Sequence, residues 1–315
     1  MRILQSALSA IALIIASTTP GAFADANFYD IPPPGQLVDL GGYRLHIHCE
    51  GIGSPTVVLD AGLGDWSTHW TAVQNLLKSD TRVCSYDRAG YGWSDPGPRP
   101  RDSQRIVTEL HSLLEKADIA PPYLLVGHSF GGLNMRLFAS TFTGEVSGLV
   151  LVEASHPESL PYLRDDDGKT PSMTPSNQLM VVYPVEPELL PIPLEAEPAM
   201  NDNLLRTKSR MTSRGEYRAL GSSVFELQHA RSFGDLPLAV LSRGKREWPY
   251  GRDGDLKEQN WHLQQMELAK LSSLGRFIVA ENSGHHIHLD QPELVAEVVR
   301  DMLTEERLES ASVLR

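Results

Sequence analysis

The sequence has few of the features that mark disulfide-built, nucleic-acid-binding or membrane-embedded proteins. Only two of its 315 residues are cysteines, too few for a disulfide-built scaffold. Acidic residues outnumber basic residues by 40 to 28, which gives a formal net charge of −12, and there is no basic run. Because nucleic-acid binding depends on basic residues that neutralise phosphates, we expect no nucleic-acid partner.

Long apolar runs are also lacking. An apolar run at residues 7–16 is too short for a bilayer, which takes about 20 residues. Arg2 precedes this run, and the A-x-A sequence at 22–24 follows it, a pattern typical of a signal peptide. We therefore predict that residues 1–24 are a signal peptide and that the mature protein is periplasmic or extracellular without a membrane span. A buried N-terminal helix is the alternative.

The two cysteines, Cys49 and Cys84, bear on the same question of compartment. An exported protein with an even cysteine count permits a disulfide. Two buried free thiols are equally compatible with the composition.

Eight short apolar runs, most of them rich in Val, Leu and Ile, predict β-strands. Helix-like segments at 102–117 and 291–305 lie among the later runs, each with apolar residues on one face. Strands that alternate with helices predict an α/β fold, with a mostly parallel sheet and helices on both faces. The predicted strands are 36–40, 44–49, 56–61, 82–86, 123–127, 148–152, 237–241 and 276–280.

The strand pattern stops between residues 155 and 235, where prolines are frequent. We predict that 155–235 is an inserted cap, partly helical near 200–230, which divides the core of the fold into 25–154 and 236–315. A long disordered loop is the alternative, but the apolar residues of the segment argue against full disorder.

The GHSFGG sequence at 127–132 is the main candidate for catalytic chemistry. It follows an apolar strand and opens a helix-like segment, as a nucleophile elbow requires. Gly127 and Gly131 flank Ser129 because such a turn is too tight for side chains at those positions. Ser129 is therefore the candidate nucleophile.

A neutral serine hydroxyl needs an imidazole to take its proton. His285 is the strongest candidate, because it lies just after the last predicted strand, at the sheet edge where Ser129 is expected. A metal site formed by His285, His286 and His288 is the competing interpretation.

The imidazole in turn needs a carboxylate to fix its tautomer and to stabilise its charged form. Glu153 ends a predicted strand and Glu247 follows another, and both precede His285, so the residues leave the choice open. Backbone N–H groups that stabilise an oxyanion are expected from Phe130, directly after the nucleophile, and from Leu63, in the glycine-rich turn after strand 56–61.

Taken in order, these segments resemble the α/β-hydrolase superfamily from about residue 36 to residue 305. The resemblance rests on VVLDAGLG, YDRAGYGWSD, LLVGHSFGG, GLVLVE and SGHHIHLDQPELV. It implies an eight-stranded sheet with an antiparallel second strand and a cap after strand six. It also implies that Asp87, Arg88 and Ser94 belong to a structural turn. Strands two and four are neighbours in that fold, which predicts a disulfide between Cys49 and Cys84.

The sequence departs from the superfamily pattern at two positions. Ala61-Gly62 replaces the His-Gly of many members, so Leu63 is assigned by position. Many members also carry an aspartate after strand seven, where this chain has Glu247, but certain haloalkane dehalogenases place the acid after strand six, as Glu153 would be. We prefer Glu153, because the charged neighbours of Glu247 resemble an exposed loop.

The resemblance implies a serine esterase that acts on small-molecule esters through an acyl-enzyme, and we expect no cofactor and no metal. A serine peptidase or a cofactor-free haloperoxidase is the alternative on the same fold, and a catalytically silent binding protein is a third possibility. The resemblance disfavours an epoxide hydrolase or a dehalogenase, because those members carry an aspartate at the elbow. This chain has Ser129 at that position.

Overall fold

The structure is a computed structural model that describes residues 32–158, 207–227, 230 and 232–313. The predicted signal peptide and residues 159–206 of the predicted cap lie outside the described residues. No helix among the described residues has the length and apolar character needed to cross a membrane.

The core of the fold is one eight-stranded sheet with the order β1-β2-β4-β3-β5-β6-β7-β8. β2 runs antiparallel to both of its neighbours, and all the other neighbouring pairs are parallel, which confirms the expected mostly parallel sheet. Each strand coincides with a predicted apolar run to within two residues at either end. The strands are β1 (Gln36–Asp39), β2 (Arg44–Glu50), β3 (Thr56–Asp60), β4 (Val83–Tyr86), β5 (Tyr123–His128), β6 (Val146–Val152), β7 (Leu238–Arg243) and β8 (Gly275–Ala280).

The described residues form seven α-helices. The predicted helix at 102–117 is present, and Asp102 caps it by accepting a hydrogen bond from the Arg105 amide at 3.0 Å. The predicted helix at 291–305 is present and extends further. The helices are α1 (Thr71–Leu77), α2 (Ser103–Lys116), α3 (Phe130–Thr141), α4 (Thr207–Glu226), α5 (Arg252–Ala269), α6 (Ile287–Asp290) and α7 (Pro292–Val313).

Apolar side chains fill a core on each face of the sheet. Residues of α2, α3 and α5 pack on one face, and residues of α1 and α7 pack on the other. Helices on both faces confirm the α/β-hydrolase architecture expected from the sequence. Helix α4, the main described part of the predicted cap, packs against α2 and α3.

The predicted disulfide between Cys49 and Cys84 is present. The two residues are direct partners in the register of β2 and β4. The topology therefore brings together two cysteines that are 35 residues apart in the chain.

Candidate active site

Ser129 lies in a sharp turn between β5 and α3. Its φ of 51° is in the left-handed region, which non-glycine residues adopt only when the surrounding structure enforces it. A Cβ at Gly127 would lie 2.6 Å from the Gly131 carbonyl oxygen, and one at Gly131 would lie 2.4 Å from the Asp60 carbonyl oxygen. Only glycine fits at these two positions, as the elbow interpretation requires.

The peptide groups at the elbow are joined directly to the end of β6. The Ser129 amide donates to the Val152 carbonyl at 3.1 Å, and the Ser155 amide donates to the Ser129 carbonyl at 3.0 Å. These bonds flank Glu153, so the elbow and the segment that carries Glu153 are held side by side.

His285 and Glu153 are brought together at this same edge of the sheet. The His285 Nδ1 donates to the Glu153 Oε2 at 3.2 Å, which leaves Nε2 unprotonated in the neutral ring. Glu153 is fully buried, whereas the His285 side chain is 31% exposed. The described contacts include none between the Ser129 hydroxyl and the imidazole, a bond that commonly tightens only when substrate is bound.

Four further donors hold the Glu153 carboxylate. Its Oε1 accepts from the Arg243 amide at 2.8 Å, the Trp261 Nε1 at 2.9 Å and the Ser242 hydroxyl at 3.3 Å, while its Oε2 accepts from the Arg243 Nη1 at 2.9 Å. Burial would raise the pKa of Glu153, but the His285 hydrogen bond and the Arg243 charge outweigh it and keep the pKa below its ordinary value. The carboxylate is therefore ionised and fixed in orientation.

Glu247 occupies a different place. It is exposed, and its Oε1 accepts a hydrogen bond from the backbone amide of His285 at 3.0 Å. The described contacts of Glu247 with His285 are to this backbone amide, whereas those of Glu153 are to the ring. Glu247 is thus placed to hold the loop that carries His285.

The predicted oxyanion donors lie on two segments in close contact. Phe130 begins α3, so its amide is at the helix N-terminus, and Leu63 follows β3. The close approach of Gly131 to the Asp60 carbonyl shows that the two segments touch. Arg88, predicted as part of a structural turn, donates to the carbonyls of that turn (Ala61 at 2.6 Å and Gly62 at 2.7 Å).

The other two predicted turn residues, Asp87 and Ser94, are buried in the segment that follows β4. The Ser94 hydroxyl donates to the Asp87 carbonyl at 2.6 Å, and the Asp87 carboxylate accepts from the Ser67 and Trp93 amides, each at 2.9 Å. Both residues therefore contact backbone groups of the turn.

A group of histidines lies behind His285. The His128 Nε2 donates to the His285 carbonyl at 3.0 Å, and its ring lies 4.3 Å from that of His288. Burial lowers the pKa of His128 and His288 well below the ordinary value, so both are neutral at pH 7. Within the described residues, no group of three or more His, Cys, Asp and Glu could hold a metal ion.

The sequence analysis did not predict the residues that donate hydrogen bonds to the Glu153 carboxylate. Ser242, Arg243 and Trp261 are contributed by β7 and α5, and Trp261 is 108 residues from Glu153 in the chain. No spacing or motif links such distant positions before the strand order is known.

Comparison with known proteins identifies the family. A sequence model of the alpha/beta hydrolase family matches residues 45–298, which is most of the chain. The chain belongs to the alpha/beta hydrolase family. The hydrolase is 30% identical over 265 residues to the uncharacterized protein YqjL of Bacillus subtilis (strain 168), covering 84% of this chain and 89% of YqjL. It is 27% identical over 306 residues to the uncharacterized protein C23C11.06c of Schizosaccharomyces pombe, but the match spans only 53% of that protein and 81% of this chain.

Solved structures of several hydrolases share the fold. The enol-lactonase of Burkholderia xenovorans LB400 matches with a TM-score of 0.60 and 20% identity over 85% of this chain and all of that chain. A thermophilic esterase of Thermogutta terrifontis matches at 0.64 and 19% identity (86% and 98% covered), and the epoxide hydrolase CorEH matches at 0.62 and 18% identity (86% and 98% covered). At these identities the likeness shows the fold alone.

Proposed function

We propose that this hydrolase cleaves carboxylic esters through a triad of Ser129, His285 and Glu153. The observation that carries the proposal is the fixed carboxylate of Glu153 on Nδ1 of His285, beside an elbow that presents a serine. The competing acid, Glu247, contacts the backbone of His285, which supports Glu153 in the role.

The geometry supports an acyl-enzyme route. The Ser129 oxygen attacks the ester carbonyl carbon while Nε2 of His285 takes the serine proton, and Glu153 stabilises the imidazolium that results. The oxygen of the tetrahedral intermediate becomes an anion, which the amides of Phe130 and Leu63 stabilise. Collapse breaks the bond to the alcohol, which leaves with the proton from His285. Water then attacks the acyl-enzyme by the same steps and releases the acid.

The residue at the elbow favours ester chemistry over epoxide opening. Ser129 forms an acyl-ester that water resolves at the carbonyl carbon, and the surroundings of Glu153 provide the fixed acid that such a triad requires. The likeness to the epoxide hydrolase CorEH is one of fold alone and carries no information about the nucleophile. The family membership supports a small-molecule substrate.

The test is a panel of nitrophenyl esters of increasing acyl length, with aminoacyl anilides alongside and labelling by a fluorophosphonate probe. We expect ester turnover and probe labelling in the wild type and loss of both in Ser129→Ala, with an unchanged circular dichroism spectrum. Turnover by Ser129→Ala within about tenfold of wild type would rule out Ser129 as the nucleophile, since loss of a triad member lowers kcat by orders of magnitude. Anilides cleaved faster than esters would indicate a peptidase instead.

We further propose that the hydrolase is exported, with residues 1–24 removed and with an inserted cap spanning 155–235. The signal-like N-terminus and the disulfide between Cys49 and Cys84 support export, because disulfides persist in oxidising compartments. N-terminal sequencing of the protein recovered outside the cytoplasm is expected to begin at Asp25. Recovery of the uncleaved chain from the cytoplasm would contradict the proposal.

A further inference from the structure

A buried carboxylate on the cap helix contacts the residue that holds the oxyanion turn. Glu216 of α4 is completely buried and accepts three hydrogen bonds: from the Arg88 Nε at 2.8 Å, the Arg88 Nη2 at 3.1 Å and the Tyr91 hydroxyl at 2.9 Å. The bidentate contact fixes the plane of the guanidinium as well as its position.

The opposite side of the same guanidinium faces the turn after β3. Its Nη1 donates to the Asp60 carboxylate at 2.8 Å and to the Ala61 carbonyl at 2.6 Å, and its Nη2 donates to the Gly62 carbonyl at 2.7 Å. Arg88 is itself buried, so these contacts are not weakened by solvent.

The Gly62 carbonyl, which also accepts from the Asp65 amide at 3.2 Å, is oriented in part by this contact, and its orientation sets where the amide of Leu63 points. A peptide group is planar and trans, so the C=O of Gly62 and the N–H of Leu63 belong to one plane and point in opposite directions. A guanidinium that holds the carbonyl on one side therefore directs the N–H to the other side. The positive charge of Arg88 next to the Gly62 carbonyl oxygen also polarises the peptide group and strengthens the Leu63 N–H as a donor.

We propose that Glu216 and Arg88 are positioning residues for the oxyanion hole, so that docking of the cap helix sets the donor at Leu63. The inference rests on the proposed esterase function and adds a role for the cap helix beyond covering the site. Burial alone would lower the pKa of Arg88, but the carboxylates of Glu216 and Asp60 keep it well above its ordinary value, so the guanidinium stays charged. Glu216 acts through Arg88 and touches neither Ser129 nor the proposed substrate position.

A second buried ion pair provides a matched control. Arg101 and Glu109 form a bidentate pair with distances of 2.7 and 2.8 Å, and both side chains are buried. No described contact joins Glu109 to the turn that contains Leu63. Loss of Glu109 therefore breaks a buried pair, and although its partner Arg101 lies against Gly215 of α4 and interacts with the charges of Glu216 and Arg88, the hydrogen bonds of Glu216 to Arg88 and Tyr91 stay in place.

The experiment compares Glu216→Gln with Glu109→Gln in the full-length mature enzyme, using a nitrophenyl ester and an alkyl boronic acid as transition-state analogue. For Glu216→Gln we expect kcat to fall by about 10- to 100-fold, KM to change by less than about threefold, and the boronate Ki to rise by the same factor as kcat/KM falls. For Glu109→Gln we expect a lowered Tm with kcat within about twofold of wild type.

A purely structural role for Glu216 predicts a different result. Both variants would then lose thermal stability, and both would keep wild-type kcat and boronate affinity, which would overturn the inference. If Glu216→Gln does not fold, Tyr91→Phe removes one hydrogen bond to Glu216, and we expect a smaller effect in the same direction, with an unchanged kcat again overturning the inference. Ser129→Ala is assayed in parallel to separate the two proposals. Persistent turnover in Ser129→Ala would refute the triad. Loss of turnover in Ser129→Ala together with a normal kcat in Glu216→Gln would refute only the positioning role.

Discussion

Replacement of Glu153 by glutamine is expected to disable the base while leaving most of its neighbours in place. The amide oxygen of glutamine can still accept from the Arg243 amide, Trp261 and Ser242, as Oε1 of Glu153 does. The amide nitrogen then replaces Oε2 and faces the Nδ1 of His285 and the Nη1 of Arg243. Two donors would meet at each of these contacts.

The ring of His285 can relieve its contact by changing tautomer, with Nδ1 accepting from the new amide and Nε2 keeping the proton. A protonated Nε2 cannot take the proton of Ser129. In Ser-His-acid enzymes the wrong tautomer costs about 10⁴-fold in kcat, equivalent to about 5 kcal/mol of transition-state stabilisation. Arg243 also loses one carboxylate but keeps Glu258 at 2.9 Å, so we expect a loss of about 3 kcal/mol in unfolding free energy, at the low end for a broken buried pair.

Glu247→Gln is the matched control, because glutamine keeps the oxygen that accepts from the His285 amide. We expect its kcat to stay within about threefold of wild type. The assay is steady-state hydrolysis of a nitrophenyl ester from pH 6 to pH 9, with urea unfolding of each variant. A Glu153→Gln enzyme within about tenfold of wild type, or a larger loss in Glu247→Gln, would refute the assignment of the acid.

Two further predictions concern stability. Reduction of the bond between Cys49 and Cys84, which closes a 35-residue separation, is expected to lower the unfolding free energy by about 3–4 kcal/mol, measured by urea unfolding with and without phosphine reductant. A Cys49→Ala/Cys84→Ala variant serves as the reductant-insensitive control, and an equal response of both proteins would contradict the prediction. Because the folded-state pKa of His288 lies well below 6.5, the unfolded chain binds its proton first, and stability falls as the pH drops below about 6.5. Between pH 7 and 5.5 this histidine therefore lowers stability. His288→Phe, which places another ring against Trp70, is expected to lose less stability over that range, and an identical pH dependence would count against the prediction.

Local patterns predicted the elements that are governed by local rules. The helix at 102–117 was predictable because Ile106, Leu110 and Leu113 repeat at helical spacing, and all three are buried. The sharp turn at Ser129 was predictable because such a turn needs small residues at fixed offsets, which a short sequence can display. Helix α5 (Arg252–Ala269) was not predicted, because its polar and apolar residues lack a clear helical period.

Contacts between distant segments had no comparable signal. Arg88 was predicted as part of a structural turn, and its bonds to the turn after β3 are in keeping with that. Its pairing with Glu216 joins residues 128 positions apart, and nothing in either local sequence indicates it. The left-handed φ of 48° at Glu153 is likewise a consequence of surrounding contacts, because glutamate has no intrinsic preference for it.

The backbone hydrogen bonds between the elbow and the end of β6 have a consequence for how such a chain can diverge. They place Ser129 and Glu153 relative to each other before the chain reaches residue 159, and β7 returns by pairing with β6 from Leu149 to Val152. Insertions or deletions between 159 and 206 therefore change the length of the connection without displacing Ser129 from Glu153. The connection can therefore change in length while Ser129 and Glu153 keep their relative positions, and only the loop that bears His285 has to be positioned separately.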